Sequence, residues 1–147
     1  MEFATAAQKA CYDKVASWMK ELFGELVLMR DDAPVMGVMM GSALATVAVW
    51  PWGDDDATIT TRAYVVTGAE LTPDLMRYLL QKNADMRFGA FGVDKDGDIL
   101  FEHSIVGSSC DKAELKASVL AVLVTADRYD DEIVARWGGE RALDRMR

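Results

Sequence analysis

Apolar side chains recur every three or four residues over 5–23, where Ala7, Cys11, Val15, Trp18 and Leu22 form a stripe that Tyr12, Met19 and Phe23 widen. That spacing predicts an amphipathic helix, and Gly24 stands where a left-handed cap would end it. Between 26 and 66 the period changes. Residues 26–29, 35–40 and 43–50 are short apolar runs, separated by Asp31-Asp32-Ala33-Pro34 and by Gly41-Ser42, both of which are turn chemistry. Residues 57–66 alternate instead, Ile59, Ala63 and Val65 against Thr58, Thr60 and Arg62, as expected of a strand with one face toward solvent. Residues 50–56, Trp-Pro-Trp-Gly-Asp-Asp-Asp, read as a loop that sets two indoles beside three carboxylates.

A second helix opens at Thr72-Pro73-Asp74, with a capping hydroxyl, a proline at the first helical position and a negative charge in the first turn. Leu75, Met76, Leu79 and Leu80 give it an apolar stripe. Two strand-like runs follow, 88–93 and 99–105, joined by Asp94-Lys95-Asp96-Gly97-Asp98. A two-residue Asp96-Gly97 loop would set Phe91 opposite Glu102. A three-residue loop with Gly97 in the left-handed conformation sets Phe91 opposite Phe101 and Val93 opposite Ile99. The second register is favoured, because it gathers four apolar side chains on one face, and cross-strand pairs of this kind contribute roughly 0.2–1 kcal/mol each. Gly89 and Gly92 would weaken a strand unless something approaches closely, and a helix packed against them is the expected reason.

Asp111, three residues before Glu114, marks the start of the last helix. Leu115, Val119, Val122, Ala126, Tyr129, Ile133 and Trp137 keep one stripe apolar over roughly 39 Å, until Gly138-Gly139. The tail, 140–147, alternates charge with Leu143 and Met146, as a short frayed or docked helix would.

The order α-β-β-β-α-β-β-α implies an α+β domain, a mainly antiparallel sheet of about five strands flanked by three helices. A single domain spanning 1–147 is expected at this length, and it can bury a sizeable core without disulfide or metal staples. The formal net charge is −8, and no cluster of Lys and Arg stands out against 24 carboxylates, which argues against nucleic acid as a partner. No apolar run is long enough to span a membrane, and the first residues lack the basic and apolar regions of a secretory signal, so a cytosolic protein is expected. In that reducing compartment Cys11 and Cys110 are expected to be idle or buried thiols.

Candidate chemistry is sparse. Asp94 to Asp98 has a glycine in the fourth place and Ile105 in the twelfth, whereas a calcium loop needs glycine sixth and glutamate twelfth. Asp54, Asp55 and Asp56 read as a solvated acidic run. His103 is the only histidine, which leaves zinc sites and Cys-His chemistry without local ligand spacing. Ser104, Ser108 and Ser109 lack the strand-turn-helix setting that exposes a nucleophile. The sequence therefore points to no catalytic, cofactor-binding or metal-binding residue. Met36, Met39 and Met40, beside Trp50 and Trp52, are the candidate surface for a peptide or for a second copy, because flexible thioethers and amphipathic indoles suit varied apolar partners. Plain core packing is the other reading of the same residues.

The second half of the chain resembles the YbjN-like domains, which share their fold with the type III secretion chaperones. The matching pieces are Leu79-Leu80-Gln81-Lys82-Asn83-Ala84, Phe88-Gly89-Ala90-Phe91-Gly92-Val93-Asp94, Asp96-Gly97-Asp98-Ile99, Ala126-Asp127-Arg128-Tyr129-Asp130-Asp131 and Trp137-Gly138-Gly139. This resemblance implies a compact α+β domain, commonly a homodimer, that binds segments of other proteins and needs no cofactor. It carries no catalytic residue across. The expected function is accordingly a non-enzymatic, chaperone-like or regulatory protein- or peptide-binding domain. A small-ligand sensor or enzyme, and a structural subunit of an assembly, are the alternatives.

Overall fold

The computed structural model describes residues 1–145; Met146, part of the expected tail helix, lies outside them. Helix α1 (Ala6–Phe23) begins at Thr5, whose hydroxyl accepts the N–H of Gln8 at 3.0 Å, and ends at Gly24 with φ 55°. Strands β1 (Val27–Met29), β2 (Val35–Met40), β3 (Ala43–Trp52) and β4 (Asp56–Thr67) follow, then α2 (Pro73–Asp85), β5 (Ala90–Val93) and β6 (Ile99–Val106). The chain continues as α3 (Lys112–Trp137), β7 (Glu140–Arg141) and α4 (Ala142–Arg145). The caps sit where the residue types require. Thr72 accepts the N–H of Leu75 at 3.2 Å, Asp111 accepts that of Glu114 at 2.7 Å, and Gly138 closes α3 with φ 79°.

All strands join one antiparallel sheet in the order β1-β2-β3-β4-β6-β5, with β7 paired to the end of β4. The strand count is seven rather than about five. The surplus comes from β1, the short apolar run at 26–29 that the five-strand order leaves uncounted, and from β7, two residues long and too short for any period to register. Val66 pairs with Ile99 of β6 and with Arg141 of β7, which places β7 on the opposite side of β4 from β6, beyond the reach of β3.

Strand alternation divides the sheet into two faces. Met36, Val38, Ala45, Val47, Val49, Ile59, Ala63, Phe101 and Phe91 point one way and are buried beneath α1 and α3, together with Val15, Met19, Val119, Val122 and Ile133. The hairpin adopts the three-residue register, with Phe91 opposite Phe101, Val93 opposite Ile99 and Gly97 at φ 83°. Phe91 meets Phe101 edge-on at 5.1 Å and Tyr129 at 5.5 Å, so α3 and the hairpin share one aromatic contact.

Three expectations change. A Cβ on Gly89 would lie 2.6 Å from the Glu102 carbonyl oxygen and 2.7 Å from the Phe101 ring, so the partner strand rather than a helix requires this glycine, while at Gly92 the nearest group is the Leu100 side chain at 3.3 Å, also on the partner strand. Only Leu75 and Leu79 of the α2 stripe are buried, while Met76 and Leu80 are exposed beside the short β5. Residues 50–52 belong to β3, and only the tip of the 50–56 segment turns. Proline is tolerated there for a geometric reason. The Val49 N–H points outward to the Pro34 carbonyl at 3.0 Å, and the last β2–β3 pair is Val35 with Ala48, so the nitrogen of Pro51, two residues on, faces no strand.

Candidate partner-binding surface

The second face of the sheet is open over most of its width, and it is split by chemistry. On the β4–β6 side it carries Arg62 bonded to Glu102 at 2.7 Å, Thr60 bonded to Ser104 at 2.8 Å, and Tyr64 donating to Asp94 at 2.9 Å. On the β1–β3 side it carries Leu28, Val35, Met39, Leu44, Ala48, Trp50 and Trp52. Four of these are large and well exposed: Leu28 at 58%, Met39 at 41%, Trp50 at 47% and Trp52 at 56%. Large apolar side chains gathered on one face mark an interaction site more often than scattered ones do.

The sequence candidates therefore separate. Met39, Trp50 and Trp52 lie on the open face. Met36 is 0% exposed and Met40 packs against the core, because 36, 38 and 40 alternate toward the helices while 35, 37 and 39 alternate away. Those two methionines leave the candidate surface. Leu28 joins it, from the short apolar run at 26–29, in which no polar residue marks the solvent side.

The two edges of the sheet are unlike. At β5, the side-chain amide of Asn83 donates to the Phe91 carbonyl at 3.1 Å and accepts the Phe91 N–H at 2.6 Å, filling the place of a next strand. At β1, no described strand pairs on the outer side, and Leu26, Leu28 and Met29 are exposed there. An open apolar edge is a template for strand pairing. The exposed Glu25 and Asp31 flank it with negative charge.

Several polar groups away from this face serve the fold. Asp56 accepts the Ala57 N–H at 2.7 Å and the Ser108 hydroxyl at 2.7 Å; these bonds, the serine foremost, hold its pKa below the usual carboxylate range. Thus only Asp54 and Asp55 of the acidic run stand clear at the hairpin tip. His103 sits on the covered face with Nδ1 2.7 Å from the Ser118 hydroxyl and the Phe88 ring at 5.7 Å, and burial lowers its pKa. Ser118 is buried in α3, so this pair lacks the exposure that a nucleophile requires. Cys11 and Cys110 are buried free thiols, and burial pushes Cys110 up to about 11. Among the described residues no group of His, Cys, Asp and Glu has the geometry of a metal site, and no helix is long and apolar enough to cross a membrane.

The Asp127–Asp131 stretch also finds its role. The Ser42 hydroxyl bonds Asp127 and lies 2.7 Å from Asp130 Oδ2, and the Ser42 N–H donates to Asp127 at 2.8 Å. These contacts tie the β2–β3 turn to α3. Gly41 (φ 60°) is required beneath them, since a Cβ would come within 2.9 Å of the Asp127 carboxylate.

Comparison with known proteins follows the same lines. No curated protein matches the chain in sequence. Among solved structures, the chain is similar to one in the ExsC-ExsE complex, with a TM-score of 0.65 and 16% identity over 88% of this chain and 96% of that one. A chain of the HopA1-SchA chaperone-effector complex gives a TM-score of 0.61 and 10% identity over 81% and 91%. YbjN from E. coli gives 0.57 and 12% over 82% and 92%. At these identities the likeness shows the fold. The model of the family described as T3SS (YopN, CesT) and YbjN peptide-binding chaperone 1 matches residues 10–145, so the chain belongs to this family, TY-Chap1.

Proposed function

We propose that this protein is a non-enzymatic, chaperone-like domain that holds an extended segment of another protein against the open face of its sheet, alongside the free edge of β1. The observation that carries this reading is that the exposed Leu28, Met39, Trp50 and Trp52 share one face of the sheet, Leu28 and Met39 at the β1–β2 edge and the two indoles on β3 beyond the end of β2. Backbone pairing at β1 would supply affinity, and the band would select alternate apolar side chains. Membership of a peptide-binding family supports the same conclusion. So do two similar structures, one of a chaperone–effector complex and one of the ExsC–ExsE complex. The buried free thiols suit a reducing cytosol.

The test is titration of the full chain with a panel of extended peptides, read by the emission of the exposed indoles. Saturable binding of apolar-and-basic peptides, weakened by Trp50→Ala or Leu28→Asp, supports the reading. A panel without a binder, or binding indifferent to both variants, refutes it.

A second reading shares the surface. A two-fold homodimer could bury the same band, since α4 is the only described element that covers any of this face, and Val124 on α3 is exposed as well. Sedimentation distinguishes the two, as set out below.

A further inference from the structure

Helix α4 is laid across the open face, and a cavity of about 200 Å³ remains beneath it, lined by Leu44, Thr46, Arg62, Tyr64, Ala142 and Leu143. Pockets for small-molecule ligands run to about 300–1,000 Å³, so this one has room for a single side chain rather than a metabolite. Its polar groups are already engaged. Arg62 is held by Glu102 at 2.6 Å, and the Tyr64 hydroxyl by Asp94 at 2.9 Å. A guest is left with the apolar surfaces of Leu44, Ala142, Leu143 and the Tyr64 ring.

The wall formed by α4 does not depend on a guest for its position. Arg141 grips Asp144 at 2.7 and 2.9 Å and lies 3.9 Å from Asp131, while β7 pairs with β4. Gly139 adds a constraint at the entry to this segment: its φ is 80°, and a Cβ would meet the Thr67 carbonyl oxygen at 2.6 Å. The cavity adjoins the exposed band, because Leu44 pairs with Met39 and shares its face with Trp50.

We propose that this cavity is an anchor pocket, which receives one leucine- or methionine-sized side chain from an extended partner segment that carries lysine or arginine further along, toward the β3–β4 turn. The chain's own tail supports the apolar half of that specification, since it already places Leu143 against this part of the sheet. Charge supplies the other half. Arg62, the cation that lines the cavity, is bound to Glu102, while Asp54 and Asp55 stand exposed at the β3–β4 turn, at the far end of β3 from Leu44, in a chain of net charge −8. The inference rests on the reading that a partner crosses the open face.

The test uses the full chain and two probes, followed by amide-resolved NMR: N-acetyl-leucinamide, and an extended peptide of alternating leucine and lysine. Saturable shifts at Thr46, Tyr64 and Leu143 are expected with both. Thr46→Phe, which fills the cavity from the strand, should weaken the peptide about tenfold or more, the equivalent of one buried leucine. Leu143→Phe fills it from the helix and should do the same, which guards against a folding defect in either variant. A peptide that binds wild type and both variants equally overturns the pocket and leaves the open-face reading standing. A peptide that binds neither wild type nor variants overturns both.

Discussion

The side-chain amide of Asn83 meets the backbone of Phe91 as a neighbouring strand would, with one donated and one accepted hydrogen bond, at 3.1 and 2.6 Å. Both ends of that contact are needed, because each satisfies a main-chain group at the sheet edge. Asn83→Ala is expected to lower stability by about 1 kcal/mol. Asn83→Asp should cost more, since it replaces the donor with an oxygen that faces the Phe91 carbonyl. Urea unfolding of the two variants at neutral pH checks the order; equal values would mean that the edge is held by α2 packing alone.

The Ser42 hydroxyl has one hydrogen and two carboxylate neighbours, Asp127 and Asp130. It can donate to only one, so a proton on Asp130 completes the set. Burial, the largest influence, raises the Asp130 pKa, while the Ser42 hydroxyl chiefly lowers that of Asp127. A raised carboxyl contributes stability below its unfolded value, about 3.9, and loses it as pH rises through the folded value. A lowered one contributes above about 3.9 and loses it as pH falls through its folded value. Asp130→Asn should therefore raise the melting temperature near neutrality and do little in acid. Asp127→Asn should lower it near neutrality, with the penalty shrinking in acid. Parallel melting curves across this range would contradict both.

Met36 and Trp50 occupy neighbouring strands and opposite faces. Met36→Ala is expected to cost about 2–5 kcal/mol through the cavity it leaves in the core. Trp50→Ala should change stability by no more than about 0.5 kcal/mol, as for an exposed side chain without special contacts, while weakening peptide capture. Denaturation together with the peptide titration separates the two effects. A comparably large stability loss in Trp50→Ala would mean that the indole is part of the fold rather than of a surface.

If the open band also pairs two copies, sedimentation at micromolar concentration should give a mass that rises toward twice the monomer value, and Trp52→Asp should return it to the monomer. A monomer mass that does not rise with concentration excludes the dimer. Peptide binding would then be the sole use of the band.

How far each element could be read from the sequence depended on its signal. The register of Phe91 with Phe101 was readable because, of the two loops that Gly97 allows, only one gathers Phe91, Val93, Ile99 and Phe101 on one face. The phase of β2 was not, since Val35 to Met40 is a near-continuous apolar run in which no polar residue marks the solvent side. Met36 and Met39 could be told apart only once the partner strands were in place. Pro51 made residues 50–52 look like a loop, although the end of β2 leaves that side of β3 without a strand and removes the objection. The anchor pocket lies further beyond sequence reach, because it joins β3, β4 and a tail whose two-residue strand has no pattern of its own.

The stopper at β5 has a consequence for valence. A sheet with two receptive edges can add subunits at both ends and grow into a fibre, which is the hazard of strand pairing. With Asn83 occupying one edge, this sheet can be extended on the β1 side only. A symmetry mate paired β1 to β1 closes the assembly, since its own β5 edge is stopped as well, whereas a guest strand still offers its far edge. A protein that must keep adhesive segments of other chains in solution can thus expose an adhesive edge of its own without becoming the seed of an aggregate.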